Sequence, residues 1–133
     1  MDIEIFSLSD FAQVMGGKAV IAGVFDTLFP PQLPARMQCC LYWRVRFRPA
    51  EYGKHSFEIS IINPDGSAMA NPLQGTFEIG ASPIAGIDSG VAEVAVGLSL
   101  EAKAFGKMLL NFKIDDKTLR SIPLYVLPPQ RPN

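Results

Sequence analysis

The sequence predicts an all-β fold: a two-sheet antiparallel β-sandwich, immunoglobulin-like or jelly-roll-like, with seven or eight strands. Three observations predict it. Helical periodicity is almost absent, apolar and polar residues alternate with period two through most of the chain, and clusters of Gly, Pro, Asn and Asp interrupt that alternation at short intervals. Strands this short and this numerous fit two packed sheets more readily than one open sheet. At 133 residues a single core is expected, with residues 1–127 as one sandwich domain and 128–133 as a proline-rich tail carrying Pro128, Pro129 and Pro132.

The elements follow in order. Residues 2–14 and 18–29 read as two strands joined at Met15-Gly16-Gly17, where paired glycines supply the positive φ of a tight hairpin. The stretch Pro30–Pro34 donates few ladder hydrogen bonds and favours extended backbone, so it should carry the chain between sheets. LYWRVRFR then alternates without a fault, placing Leu41, Trp43, Val45 and Phe47 on one face and Tyr42, Arg44, Arg46 and Arg48 on the other. The five-residue loop PAEYG leads into HSFEISII, and these two strands are expected to pair as a hairpin, with His55 facing Phe47 and Glu58 across from Arg44.

Asn63-Pro64-Asp65-Gly66 is a turn, because proline presets its own φ while Asp and Gly tolerate the tight positions that follow. A strand near 73–79 comes next, then the loop GASPIAGIDSG. Val94, Val96, Leu98 and Leu100 mark another strand, whose opposite face is small and polar. Met108, Leu110, Phe112 and Ile114 alternate up to the turn Asp115-Asp116-Lys117, and Ile122, Leu124 and Val126 close the fold. Pro123 cannot donate to a neighbour, which predicts that this closing strand lies at a sheet edge. Trp43 shares its face with Leu41, Val45 and Phe47, which predicts a core anchor in place of an exposed sugar platform.

Composition narrows the function. A hydrophobic fraction of 48% with 19% charged residues belongs to a packed protein, and the net charge of −1 creates no field that would draw it to nucleic acid or anionic lipid. No apolar run is long enough to span a membrane, and MDIEIFSLSD lacks the basic start and apolar centre of a signal peptide, so a cytoplasmic protein is expected. Cys39 and Cys40 are neighbours, a poor geometry for a disulfide, and read as free thiols.

No catalytic, cofactor-binding or metal-ligating residues are assigned. His55 is the only histidine, so neither a nucleophile–base–orienter triad nor a His/Cys metal set is available, and it reads as structural. Asp26, Asp65, Asp88, Asp115 and Asp116 fall mostly at turns, where Asp bonds to local backbone, and no calcium-loop spacing occurs. Gly16-Gly17 lacks the spacing of a phosphate-binding loop, and Pro31 with Pro34 reads as a crossover, although it satisfies P-x-x-P.

Two readings of function follow. The first is a non-catalytic binding or assembly module that uses a sheet face or edge to engage a protein partner or a further copy of itself; the alternative is a carboxylate-based hydrolase at the strand ends. The candidate partner surface is the stripe Tyr42, Arg44, Arg46 and Arg48, about 13 Å long, able to grip carboxylates or phosphates. The sequence identifies no particular small-molecule ligand and leaves that question open.

GGKAVIAGVFDTLFPPQLP, residues 16–34, combines a GGK hairpin, a strand ending G-x-F-D-T-x-F and a proline-bearing crossover. Gly106, the Phe112 strand, the Asp115-Asp116 turn and Ser121-Ile122-Pro123-Leu124 form a second pattern. Together they resemble an uncharacterised bacterial family, a domain of unknown function, over nearly the whole chain. The resemblance implies a sandwich and brings no catalytic or binding residues, because its motifs are turn and core positions.

Overall fold

The computed structural model describes residues 1–69 and 71–130. It contains β1 (Asp2–Met15), β2 (Lys18–Val24), β3 (Thr27–Leu28), β4 (Ala35–Phe47), β5 (Gly53–Ile62), β6 (Leu73–Ile79), β7 (Gly90–Ala102), β8 (Gly106–Ile114) and β9 (Lys117–Val126), with one 3₁₀ turn at Pro49–Glu51. The first sheet has the order β2-β1-β4-β7 and the second β3-β9-β8-β5-β6. All pairings are antiparallel except β3 with β9. The two sheets pack face to face as a β-sandwich.

The alternating residues make the core. Leu41, Trp43, Val45 and Phe47 of β4 are fully buried, as are Met108, Leu110, Phe112 and Ile114 of β8 and Leu124 and Val126 of β9. Phe6 stacks on Phe112 across the sheets at 5.2 Å between ring centroids, and Trp43 lies 5.1 to 5.7 Å from Phe57, Phe77 and Phe112. Trp43 is thus a core anchor. Its burial removes a large apolar area from water and ties the centre of the first sheet to three strands of the second.

Two hairpins have the expected turns. Gly16 and Gly17 (φ +57° and +76°) close β1 on β2, and Asp115 and Asp116 (φ +52° and +64°) close β8 on β9. Both are two-residue loops with left-handed backbone at each position, whose twist matches that of the flanking strands.

Four expectations are corrected. Among the described residues there are nine strands, because the run 18–29 breaks after Val24 and continues as β3 in the other sheet. Gly23 at φ +72° marks the break, and a Cβ there would run into the Asp10 carboxylate. Secondly, β4 and β5 are not a hairpin: β4 pairs with β1 and β7, and β5 with β6 and β8. The 3₁₀ turn, held by the Glu51 N–H to the Arg48 carbonyl (2.8 Å), carries the chain across the sandwich. His55 still meets Phe47, at 4.9 Å between rings, but through the core and not along a ladder.

The third correction follows from the second. Glu58 stands beside Gln74 and Lys113 of the second sheet, away from Arg44. Lastly, β9 is an edge strand only in part, since β8 pairs along it on one side and β3 covers Tyr125 and Val126 alone on the other. Pro123 has the same parity as Tyr125, whose N–H points to the Asp26 carbonyl (2.7 Å), so its missing donor faces the side that β3 leaves uncovered. The Pro30–Pro34 stretch does carry the chain between sheets, from β3 to β4. Of the tail, Pro132 lies outside the described residues.

Candidate functional surface

The arginine stripe sits on the outer face of β4, flanked by β1 and β7. Arg44 Nε donates to Glu4 (2.8 Å) and its Nη1 to Glu93 (2.8 Å), while Arg46 Nε donates to the other Glu4 oxygen (2.8 Å) and its Nη1 to Ser89 Oγ (2.8 Å). Tyr42 Oη donates to Glu93 (3.0 Å) and is fully buried, so it forms no aromatic rim. The bonds to Arg46 and Arg44 hold the Glu4 carboxyl below its usual range, and the bond from Glu4 raises Arg44 further. Burial, then the Glu93 contact, pushes the Tyr42 phenol up. Only Arg48, exposed just past β4, keeps its guanidinium out of this network. Glu4 and Glu93 carry the neutralisation, and both alternate with apolar residues in their own strands.

His55 lies at one end of the sandwich between Phe47 and Phe77. Its Nδ1 is 2.6 Å from Asp115 Oδ2 and its Nε2 is 2.6 Å from the Glu51 carbonyl oxygen. Both nitrogens therefore face acceptors, the pattern of a doubly protonated ring. Burial opposes that charge, but the bonds to Asp115 and Glu51 outweigh it and raise the imidazole above its ordinary range. For Asp115, burial likewise acts against ionisation, and the bonds from His55 and the Ser56 N–H (3.0 Å) overcome it and lower the carboxyl. With no nitrogen left to accept a proton, this pair is a clamp between the β8–β9 turn and β5.

The other carboxylates are spread out. Asp65 accepts from Ser67 within its turn, and Asp26 accepts from Thr27 Oγ1 (2.8 Å) at the end of the chain's crossing between sheets. Two depressions on the second sheet each contain two acids: Glu58 and Asp116 with Lys113 in one of about 240 Å³, and Glu78 and Asp115 with His55 in one of about 640 Å³. In the larger, Asp115 is already committed to His55. Cys39 is buried, which pushes its thiol up to about 11, and Cys40 is half-buried; both are free. Among the described residues no helix is long and apolar enough to cross a membrane.

The β1–β2 hairpin departs most from an ordinary surface. Ala12, Gln13 and Val14 line a cleft with Glu93, Val94 and Ala95 of β7, although β4 lies between β1 and β7 in the sheet. The distal half of β1, past its last pair with β4 at Ser9, therefore lies close to the outer face at β7. Pairing of β1 with β4 ends at Ser9, whose buried Oγ donates to the Phe11 carbonyl (3.0 Å), and Gly23 of β2, at φ +72°, lies against Asp10 just beyond it. The register puts Phe11 beside Ala22, Gln13 beside Val20 and Met15 beside Lys18 on one hairpin face. Phe11, Met15 and Val20 are 45%, 55% and 46% exposed there, and Val24 at the root is 66% exposed. Sequence reading located this hairpin but placed its apolar residues in a sheet, where they would be half-buried.

Comparison with known proteins adds a family and no activity. No curated protein and no solved structure matches the chain. One family profile spans residues 4–127, and on that match the chain belongs to DUF6941, a family of unknown function.

Proposed function

We propose that this domain is a non-catalytic binding or assembly module that docks protein through the β1–β2 hairpin. One observation carries the reading: Phe11, Met15 and Val20 share an exposed face of a hairpin that extends past the last β1–β4 pair at Ser9. Clustered apolar side chains in water are a standing cost that a partner removes, and contiguous patches of this kind mark interaction sites. The arginine stripe is the weaker surface, because gripping an acidic ligand would require Arg44 and Arg46 to release Glu4 and Glu93. Protein suits the patch better than nucleic acid or lipid headgroups, given a net charge of −1 and Lys18 as the sole cation of the hairpin. A cytoplasmic setting accords with the free thiols of Cys39 and Cys40.

The test compares Phe11→Ser with Met15→Ser, combined in one chain, against wild type, after equal melting temperatures are confirmed. Capture from native lysate and the solution mass are measured together. Loss of captured proteins or of self-association supports the reading; retention of both refutes it.

The hydrolase reading draws on the depression shared by Glu58 and Asp116. Paired carboxylates can serve as acid and base, but this site is smaller than the roughly 300–1,000 Å³ of usual ligand pockets. Turnover of a glycoside panel that disappears in Glu58→Gln would establish it.

A further inference from the structure

We infer that β2 is the interface strand of a two-fold dimer, in which β2 of one copy pairs antiparallel with β2 of a second copy about Val20. The inference rests on the hairpin reading above and names the occupant of its edge.

The sheet edges differ in how they are protected. Strand β7 carries Glu93 and Glu101, and β6 carries Glu78. Strand β3 is two residues long and runs into Pro30 and Pro31, and the length of β9 that it leaves uncovered contains Arg120 and Pro123. These are the usual blocks against edge pairing: charge, brevity and proline. Strand β2 has Lys18 at its start and then Ala19-Val20-Ile21-Ala22, an apolar run without charge or proline.

The backbone of β2 also has groups free to pair. In a two-residue hairpin the closing pair, here Met15 and Lys18, exchanges both hydrogen bonds, and the pattern then alternates along the strand. Lys18, Val20 and Ala22 therefore aim their N–H and C=O groups at β1. Ala19 and Ile21 aim theirs outward, where no strand of this chain receives them among the described residues. A two-fold axis at Val20 sets Ala19 against Ile21 of the second copy and Ile21 against its Ala19, so each outward group gains a partner.

The run Lys18–Ala22 is centred on Val20, and Gly23 at φ +72° ends its regular geometry. Charge agrees with the same axis. Lys18 falls opposite Ala22 of the second copy, so no like charges meet, and Val20 packs on Val20 as a close, non-hydrogen-bonded β-branched pair. Five residues a side cover less than the roughly 1,200 Å² at which stable interfaces begin, so the dimer is concentration-dependent and not obligate.

The test is sedimentation equilibrium of the full chain up to about 1 mM. Wild type should pass from monomer to dimer, and Val20→Lys, which brings two ammonium groups together at the axis, should weaken the dimer at least tenfold without altering the circular dichroism. Val20→Cys in a Cys40→Ser background should give a covalent dimer on mild oxidation, far faster than Ile21→Cys in the same background. A wild type that stays monomeric to that concentration overturns the inference, and so does a dimer that Val20→Lys leaves intact. If Phe11→Ser with Met15→Ser dissociates a dimer that Val20→Lys does not, the hairpin reading stands and the β2 pairing falls.

Discussion

Replacing Trp43 with alanine should destabilise the protein by about 4 to 5 kcal/mol, the upper part of the range for buried tryptophan. The magnitude follows from position: the ring has no solvent exposure and touches Phe57, Phe77 and Phe112 on three strands of the opposite sheet. Each aromatic contact contributes about 0.5 to 1.5 kcal/mol beyond area burial, and all three are lost together. Trp43→Phe should behave differently. It keeps a ring among the three phenylalanines, losing about 2 kcal/mol of buried area, and it removes an indole Nε1–H that has no hydrogen-bond partner among the described residues. Leaving such a donor buried costs about 1 to 3 kcal/mol, so the two terms nearly cancel and the net change should stay within about 1.5 kcal/mol. Urea unfolding followed by far-ultraviolet circular dichroism reads both variants, since each lacks the native fluorophore. An alanine variant that loses less than about 1.5 kcal/mol, or a phenylalanine variant as damaged as the alanine one, would refute the reasoning.

The His55–Asp115 clamp gives a pH dependence. The imidazole is raised, so its contribution is complete below the unfolded value of about 6.5 and is lost as pH rises through the folded one. Asp115 is lowered, so its contribution is present above the unfolded value of about 3.9 and is lost as pH falls through the folded one. Stability should therefore be greatest between about pH 4 and 6.5 and decline above it, and His55→Gln should cost about 1.5 to 3 kcal/mol at pH 5.5 while flattening the alkaline limb. A wild-type denaturation midpoint that does not change from pH 5.5 to 8.5 would contradict the clamp. On the arginine face, Arg46→Glu sets a carboxylate against Glu4 and should cost about 1 kcal/mol, whereas Arg48→Glu should stay within about 0.5 kcal/mol. Equal losses in thermal melts would mean that Glu4 does not neutralise this face.

Strand positions were legible in the sequence because half-buried strands write their two faces into alternate residues, as LYWRVRFR and the Met108–Ile114 run do. Pairing was less so. PAEYG has the length of a hairpin loop, yet Pro49 and Glu51 build a 3₁₀ turn that crosses the sandwich, and alternation is identical for either outcome. That one pairing hid the partners of Arg44 and Arg46, since Glu4 and Glu93 are remote in sequence and meet only when β4 is central in its sheet. Gly23 was a legible signal of the strand break, because an isolated glycine in a strand often marks a bulge or close approach. The exposure of Phe11 and Met15 was not legible, because it depends on where β1 stops pairing with β4, at Ser9, which alternation within β1 does not record.

Pairing of β2 with a second copy, the most specific form of the hairpin's docking role, is tested most directly by amide hydrogen exchange in β2 as protein concentration is raised. Val20 and Ala22 bond to β1 and should be protected at every concentration, while Ala19 and Ile21 point outward and should exchange quickly in dilute protein. The account predicts that the Ala19 and Ile21 amides become protected as the dimer forms, with Val20 and Ala22 unchanged. Fast exchange at Ala19 and Ile21 that persists at every concentration would contradict it.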